Sequence, residues 1–371
     1  MIFNNTALTK YEECPRLFYL EEVLRLQRRP HEDSRNIDRE QGVLWHEMMD
    51  LWRRVDKQEA EELEFQPCIR RVGRIQQVQD HVKSYYNARI AVAQFEEEKL
   101  FEIECERYML ALFDAYIERY PTDSFEVVDT ERDFITCLGD ECPSCGEPYH
   151  EDLRRGMTVQ QRCDALLSRD AYGDNGFEDL RCEAEIDYLV GRADLIVSEN
   201  GLVKLWDYKT KKATAGVSVN TLSGYGTSSQ FTQYMYGIGR VLNRVVANGV
   251  VDVVVKLKEI AKKGNPFRRN EEIVKGPLDY AAFVADRRAL LVQIRADLAQ
   301  LQPDGTPKAS AYPFRRNPNH CYKYGPCPML DICHPARHTW WAPPEAVAHE
   351  YTTRPTNYVD NYRALIEEEI E

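Results

Sequence analysis

The sequence predicts an α/β fold: a mixed β-sheet flanked by helices, with a helical region ahead of it and a cysteine-bearing segment behind. Three observations predict it. The stretch 189–210, LVGRADLIVSENGLVKLWDYKT, reads as two strands joined by Asn200-Gly201, the strongest short-range signal for a tight hairpin. The middle of the chain runs helix, three strands, helix, strand, an order that suits a mixed sheet covered by helices. Residues 250–257 are a β-branched, nearly continuous apolar run, as expected of a strand buried on both faces.

Apolar residues at helical spacing predict helices over 6–26, 40–55, 73–95 and 105–120. Strands begin near 125–136 and are interrupted by a Gly/Pro/Cys-rich insert. The next strand is expected near 180–188, followed by the hairpin. A polar crossover over 213–229 leads to a helix over 230–248, with Phe231, Met235, Ile238 and Leu242 on one face. A long helix covers 278–301. The chain therefore divides into a helical region 1–120, a sheet core formed by 121–136 and 171–275, the insert 137–170, and a C-terminal part 276–371 that holds a helix, a cysteine segment and an acidic tail. No internal repeat is visible.

At 371 residues the chain has room for one large domain or two. No apolar run approaches the ~18 residues of a membrane span. The opening MIFNNT is no signal peptide, so a cytoplasmic location without membrane attachment is expected. The net charge of −13 argues against binding nucleic acid through overall charge, but leaves room for a local basic groove. Eleven cysteines in such a chain suit metal ligands better than disulfides. Cys68, Cys105 and Cys182 read as lone core residues.

A two-residue loop at Asn200-Gly201 pairs Glu199 with Leu202, and counting back sets Asp194 opposite Asp207. Facing carboxylates repel unless a cation lies between them. Lys209 shares the face of Asp207 by the two-residue period. Both carboxylates, with the Tyr208 carbonyl, would bind a hard divalent ion that keeps several waters. Such an ion polarises a phosphodiester and lowers the pKa of an attacking water, while Lys209 orients that water or stabilises charge building on phosphorus. The same spacing also suits a solvated hairpin face carrying a Lys–Asp pair.

In Gly42-x3-His46, within a predicted helix, His46 either reaches the sheet as a ligand or is an ordinary helix histidine. Gln230 and Tyr234, four apart, share one helix face; they hold a DNA backbone, order the lysine, or form a polar stripe. Cys321, Cys327 and Cys333 lie in a Pro/Gly-rich segment, and Cys14 would be a fourth thiolate. Four thiolates suit a [4Fe–4S] cluster or Zn²⁺, and His320 and His334 are alternative ligands that keep zinc open. Cys142-Pro-Ser-Cys145, with Cys137 and Cys163 and with His150 nearby, suits a second, structural Zn²⁺, or is a surface insert with reduced thiols. Lys211, Lys212, Arg268, Arg269, Arg315 and Arg316 are candidate phosphate contacts or solvated charges. No Gly-Lys-Ser/Thr phosphate loop is present, so any unwinding motor would be another protein.

Together these motifs resemble the PD-(D/E)XK nuclease superfamily, in its RecB-like branch with an iron–sulfur cluster, which includes the CRISPR-associated RecB-like exonucleases and AddB-type nuclease domains. Tyr11-Glu-Glu-Cys14-Pro, Gly42-x3-His46, Gly191-x-x-Asp194, Asp207-x-Lys209-Thr, Gln230-x3-Tyr234 and the three late cysteines follow the family order. The resemblance implies a restriction-endonuclease-like fold and a Mg²⁺- or Mn²⁺-dependent DNA exonuclease. His46, Asp194 and Asp207 would be metal ligands, Lys209 the catalytic lysine, Gln230 and Tyr234 its supports, and Cys14, Cys321, Cys327 and Cys333 the cluster ligands. Glu131 falls where such enzymes carry an acid on the preceding strand. The implied partners are DNA, single-stranded or with free ends, and a helicase or recombination protein. The implied setting is recombination, repair or end processing, including phage and CRISPR roles. The alternatives are a non-catalytic DNA-binding subunit of a helicase–nuclease complex and a restriction-type endonuclease. Two departures stand out: Cys-x5-Cys-x5-Cys replaces the commoner Cys-x2-Cys-x5-Cys, and the cysteine insert is not a usual family feature.

Overall fold

In chain order the main elements are β1 (Ile2–Asn4), α1 (Asn5–Glu13), β2 (Leu26–Arg28), α2 (Ile37–Arg53), α3 (Pro67–Val92), α4 (Glu96–Arg119), β3 (Glu126–Cys137), β4 (Tyr188–Glu199), β5 (Leu202–Lys212), α5 (Ser229–Val241), β6 (Asn248–Lys256), β7 (Phe267–Arg269), β8 (Ile273–Val274), α6 (Pro277–Leu298) and β9 (Tyr351–Thr353). They come from a computed structural model that describes residues 2–29, 36–54, 67–121, 125–139, 187–212, 224–246, 248–256, 266–270, 272–303, 305–308, 313–323, 326–333 and 351–354.

Strand β4 organises the sheet. Along one edge it pairs antiparallel with β3. Its other edge is shared: β1 pairs in parallel with residues 188–190, and β5 pairs antiparallel with residues 195–199. β5 then continues in parallel with β6, which also carries β7 and β8. The result is a mixed seven-stranded sheet flanked by helices, the fold class the sequence predicts. The hairpin register is also as predicted, with Glu199 opposite Leu202. Asn200 and Gly201 have φ of 53° and 79°, the positive values that a two-residue primed turn requires at both positions.

Several boundaries differ from the sequence reading. β1 and β2 lie in the region read as mostly helical, and three-residue strands are too short to show a two-residue period. The helix expected over 6–26 breaks at Cys14, which is extended at φ −159°. Pro15 disfavours helical backbone at the residue before it. A short helix and a π-helical turn follow, Pro15–Phe18 and Tyr19–Val23. The helix expected to reach residue 248 ends at Val241, and Asn243 turns the chain at φ 49° into β6. Most of the insert, and the strand expected over 180–188 apart from its last two residues, lie outside the described residues.

One sheet face is covered by α2, α3 and α4, whose Trp45, Met48, Tyr86 and Phe113 pack on Leu195, Trp206 and Val250. The other is covered by α5, whose Phe231, Met235 and Ile238 meet Leu205, Val251 and Val253. A third apolar cluster joins the two ends of the chain, setting Leu8, Phe18, Tyr19 and Leu20 against Leu291, Ile294, Phe314 and Ile332. Polar contacts reinforce it: the Tyr11 hydroxyl donates to Asp297 at 2.7 Å, and Arg16 Nε donates to the Phe314 carbonyl at 3.0 Å. Among the described residues no helix is long and apolar enough to cross a membrane.

Phe134 fixes β3 against its neighbours. Its buried ring lies across Gly191, its partner on β4, and against Gly237 on α5. A Cβ at Gly191 would come within 2.6 Å of the ring, and one at Gly237 closer still. Gly to Ala inside a helix ordinarily gains about 1 kcal/mol. Here overpacking, typically about 1–3 kcal/mol, opposes that gain, so Gly237→Ala lowers the thermal midpoint. Phe134→Leu makes room for the new methyl. In a double-mutant cycle the combined loss is therefore smaller than the sum of the two single losses, by about 1 kcal/mol.

Candidate active site

The β4–β5 ladder runs from Glu199↔Leu202 to Leu195↔Trp206 and stops there. The next pair would be Asp194 and Asp207, as the sequence reading places them. The structure corrects this by one step. The Tyr208 backbone N–H donates to Asp194 Oδ2 at 2.8 Å, while β5 keeps its parallel pairing with β6 through the acids. Two unshielded carboxylates repel, and an acid that accepts a backbone N–H keeps its charge at lower cost. The strands therefore part at the acids.

β3 supplies a third acid. Thr130 pairs with Leu195 and Arg132 with Ala193, which leaves Glu131 facing Asp194. Its φ is 46°, an uncommon conformation for a residue with a side chain, of the kind concentrated at functional sites. The alternation of faces also breaks here: Ala193 packs on the α5 side, whereas Leu195 packs on the α2 side. The Phe134–Gly191 pair lies three residues from Glu131 and three from Asp194, so it sets the register that opposes the two acids.

α2 supplies a histidine. Gly42 lies so close to β5 that a Cβ would sit 3.0 Å from Thr210 Oγ1. This approach lowers the helix onto the sheet, and one turn later His46 Nδ1 is 3.4 Å from Asp194 Oδ2. His46, Glu131 and Asp194 each offer one ligand atom within 4.8 Å of the other two. Lys209 Nζ contacts the Asp207 carboxylate at 2.8–2.9 Å. Gln230 Nε2 donates to the Tyr234 hydroxyl at 2.8 Å, and the Tyr234 oxygen acts electrostatically on Lys209.

The electrostatics show acids short of positive charge. Burial, with the Asp194 charge added, pushes Glu131 up to about 7. Burial also pushes Asp207 up to about 6, against the pull of Lys209. Burial would raise Asp194 too, but His46, Lys209 and the Tyr208 N–H outweigh it and hold Asp194 below the ordinary carboxylate range. His46 is pulled down by burial and up by Asp194, with a net rise. Burial opposes the charge on Lys209, yet Asp207 and Asp194 hold its pKa well above the usual value. A divalent cation would supply the missing charge. Two carboxylates and an imidazole suit Mn²⁺ well, since carboxylate suits Mg²⁺ and Mn²⁺ whereas imidazole favours the softer transition ions.

Of the residues singled out from sequence, His46, Asp194, Asp207, Lys209, Gln230 and Tyr234 all converge here. Two placements differ. Asp207 pairs with Lys209, and Glu131 joins His46 and Asp194 within ligand distance of one another. Tyr208 gives its N–H to Asp194, while its buried ring belongs to the α2–α4 core. Glu131 entered the sequence reading only by resemblance. The cue available was the matched offset of Glu131-x-x-Phe134 and Gly191-x-x-Asp194.

The proposed phosphate contacts sort differently. Arg269 pairs with the buried Asp252 at 2.9 Å and stacks 3.5 Å over the Tyr120 ring, so it anchors the fold behind the site. Arg316 NH2 donates to Cys321 Sγ at 3.6 Å. Arg268 bonds the Phe267 carbonyl. Lys211 lies over the Tyr225 ring and Arg315 is exposed.

Cys14, Cys321, Cys327 and Cys333 gather where the chain ends meet. Burial, with the charges of the other three sulfurs added, pushes Cys327 up to about 11. Cys333 is raised in the same way, against Arg16 and Arg316. The Asn317 N–H points at Cys14 Sγ at 3.5 Å. The four sulfurs lie within electrostatic reach of one another, with Arg16 and Arg316 close by. His320, weighed as an alternative ligand, faces Glu13 at 3.7 Å; His334 lies outside the described residues. In the insert only Cys137 is described. It is buried, and its thiol donates to the Gly139 carbonyl at 3.3 Å. Cys142, Cys145, His150 and Cys163 lie outside the described residues.

A hairpin that splits open at acids, a lysine beside one of them and a histidine lowered onto another are the parts of a metal-dependent nuclease. The profile of the PD-(D/E)XK nuclease superfamily matches residues 3–334. The chain belongs to that superfamily. No curated protein matches it significantly.

If the Gly42 approach sets His46, Gly42→Ala gains helix propensity of about 1 kcal/mol yet presses on Thr210. The thermal midpoint then stays near wild type while turnover of DNA falls several-fold. Thr210→Ala in the same chain restores part of the turnover.

Proposed function

We propose that the protein is a DNA exonuclease of the RecB-like branch, dependent on Mn²⁺ or Mg²⁺ and built around a [4Fe–4S] cluster. The observation that carries this reading is the convergence of His46, Glu131 and Asp194 at the split between β4 and β5, with Lys209 beside it. His46, Glu131 and Asp194 would hold the ion, with Asp207 close by. When bound, the ion polarises the phosphodiester and lowers the pKa of the attacking water. Asp207 and Asp194 favour the charged form of Lys209. It is suited to stabilising charge that builds on the phosphoryl oxygens. Tyr234, bonded to Gln230, lies within electrostatic reach of that ammonium.

The cluster reading rests on Cys14, Cys321, Cys327 and Cys333 gathering beside Arg16 and Arg316. Bound there, a cluster would clasp the ends of the chain and couple metal loading to folding. The substrate would be DNA with a free end, and strand separation would fall to a partner helicase.

Nuclease assays on 5′- and 3′-labelled single strands test the site. Asp207→Ala and Lys209→Ala are each expected to lose at least about 10²-fold in turnover, the scale of removing a charge-stabilising group. Equal degradation by wild type and variants would show the assignment wrong. No degradation by any of them would favour the DNA-binding subunit, and cleavage of closed circles the restriction-type endonuclease. Mn²⁺ is expected to support a higher rate than Mg²⁺.

For the cluster, protein purified without oxygen should be brown, with iron and sulfide in equal amounts. Cys14→Ser should lose iron and lower the thermal midpoint. A colourless protein carrying zinc would overturn the iron assignment.

A further inference from the structure

Gln233, on α5, is fully buried. Glutamine is mostly an exposed residue, and burying it costs hydration and side-chain freedom. Its Nε2 donates to the Val190 carbonyl of β4 at 3.0 Å. Its Oε1 is buried and accepts no hydrogen bond among the described residues. An apolar side chain of the same length would fill the space without leaving that acceptor unsatisfied. A half-satisfied amide in the interior is costly, so stability alone favours an apolar residue at this position.

What the glutamine joins gives the reason for it. Val190 directly precedes Gly191, and Asp194 follows three residues later on the same strand. Tyr234 directly follows Gln233, and its ring lies against Gly191, where an added Cβ would be 3.1 Å from Cε1. Gln230, one turn earlier, donates to the Tyr234 hydroxyl, and Tyr234 acts electrostatically on Lys209. One buried polar bond thus ties the helix that carries the neighbours of the lysine to the strand that carries the acid. Phe231, Met235 and Ile238 also hold α5 to the sheet, but apolar contact is non-directional and tolerates sliding. A hydrogen bond restricts both distance and angle.

We propose that Gln233 is a positioning residue for phosphodiester hydrolysis: its bond to Val190 fixes α5 along β4, so that Tyr234 meets Lys209 in one place. The proposal rests on the nuclease reading and deepens it. With no exposed surface, Gln233 does not meet substrate itself and acts through Tyr234. The metal ligands His46, Glu131 and Asp194 come from α2, β3 and β4, so a shift of α5 leaves the ion site in place and moves only the surroundings of the lysine.

The test is Gln233→Met in the full chain, which keeps the length of the side chain and removes both polar atoms. Turnover of a labelled single strand is expected to fall about tenfold, the scale of misplacing a reacting group by less than about 1 Å. The loss should fall on kcat, with KM for DNA unchanged. Mn²⁺ binding, followed by electron paramagnetic resonance, should match wild type, and the thermal midpoint should stay close to it, since the swap conserves volume. Tyr234→Phe supplies a second measurement. If Gln233 acts through the Tyr234 hydroxyl, adding Gln233→Met to Tyr234→Phe costs little further turnover; a full additive loss overturns the proposal. A Gln233→Met protein that cuts as fast as wild type sinks this inference and leaves the nuclease reading standing. One whose midpoint and Mn²⁺ binding fall together with its turnover marks Gln233 as a structural residue, and the inference fails. Wild type that cuts no DNA sinks the nuclease reading with it.

Discussion

The structure turns on a hydrogen bond that replaces a strand pair. Asp194 accepts the Tyr208 N–H, and by doing so ends the β4–β5 ladder where continuing it would force two carboxylates together. Everything functional is arranged around that opening. β5 stays paired with β6 along its other edge, Lys209 pairs with Asp207, and the β4 edge from Gly191 to Asp194 carries no ladder partner among the described strands.

Tight contacts hold the opening in shape. Phe134 over Gly191 sets the register of β3, and Gly42 against Thr210 sets the height of α2. Neither glycine is itself chemical. Each removes a side chain so that a neighbour three or four residues away reaches the acids. This is a physical reason for the spacings Gly-x-x-Asp and Gly-x-x-x-His, in which the first residue fixes a distance and the last uses it. The backbone of Glu131, held in a left-handed conformation, is strain that this packing sustains.

The hairpin was legible because Asn-Gly fixes a turn and the turn fixes a register. The pairing of Lys209 with Asp207 followed from alternation alone. The helix face shared by Gln230 and Tyr234 followed from the four-residue spacing. What alternation could not show is where it fails, between Ala193 and Leu195, and so Glu131 was visible only by resemblance. Arg269 was misread for a related reason. A charged residue near a strand end looks solvated in sequence, and only the fold reveals the buried Asp252 that claims it. β1 was too short to register at all, yet it pairs with the start of β4.

The clustering of Leu8, Phe18, Tyr19 and Leu20 with Phe314 and Ile332 has a consequence for biosynthesis. The apolar side chains of residues 8–20 receive their cover from a segment about 300 residues later in the chain. Until the distal segment emerges, those side chains stay unprotected in the nascent protein, where exposed apolar surface invites misassembly. Closing so long a loop is also entropically slow. Assembly of this cluster therefore waits on contacts of long sequence separation.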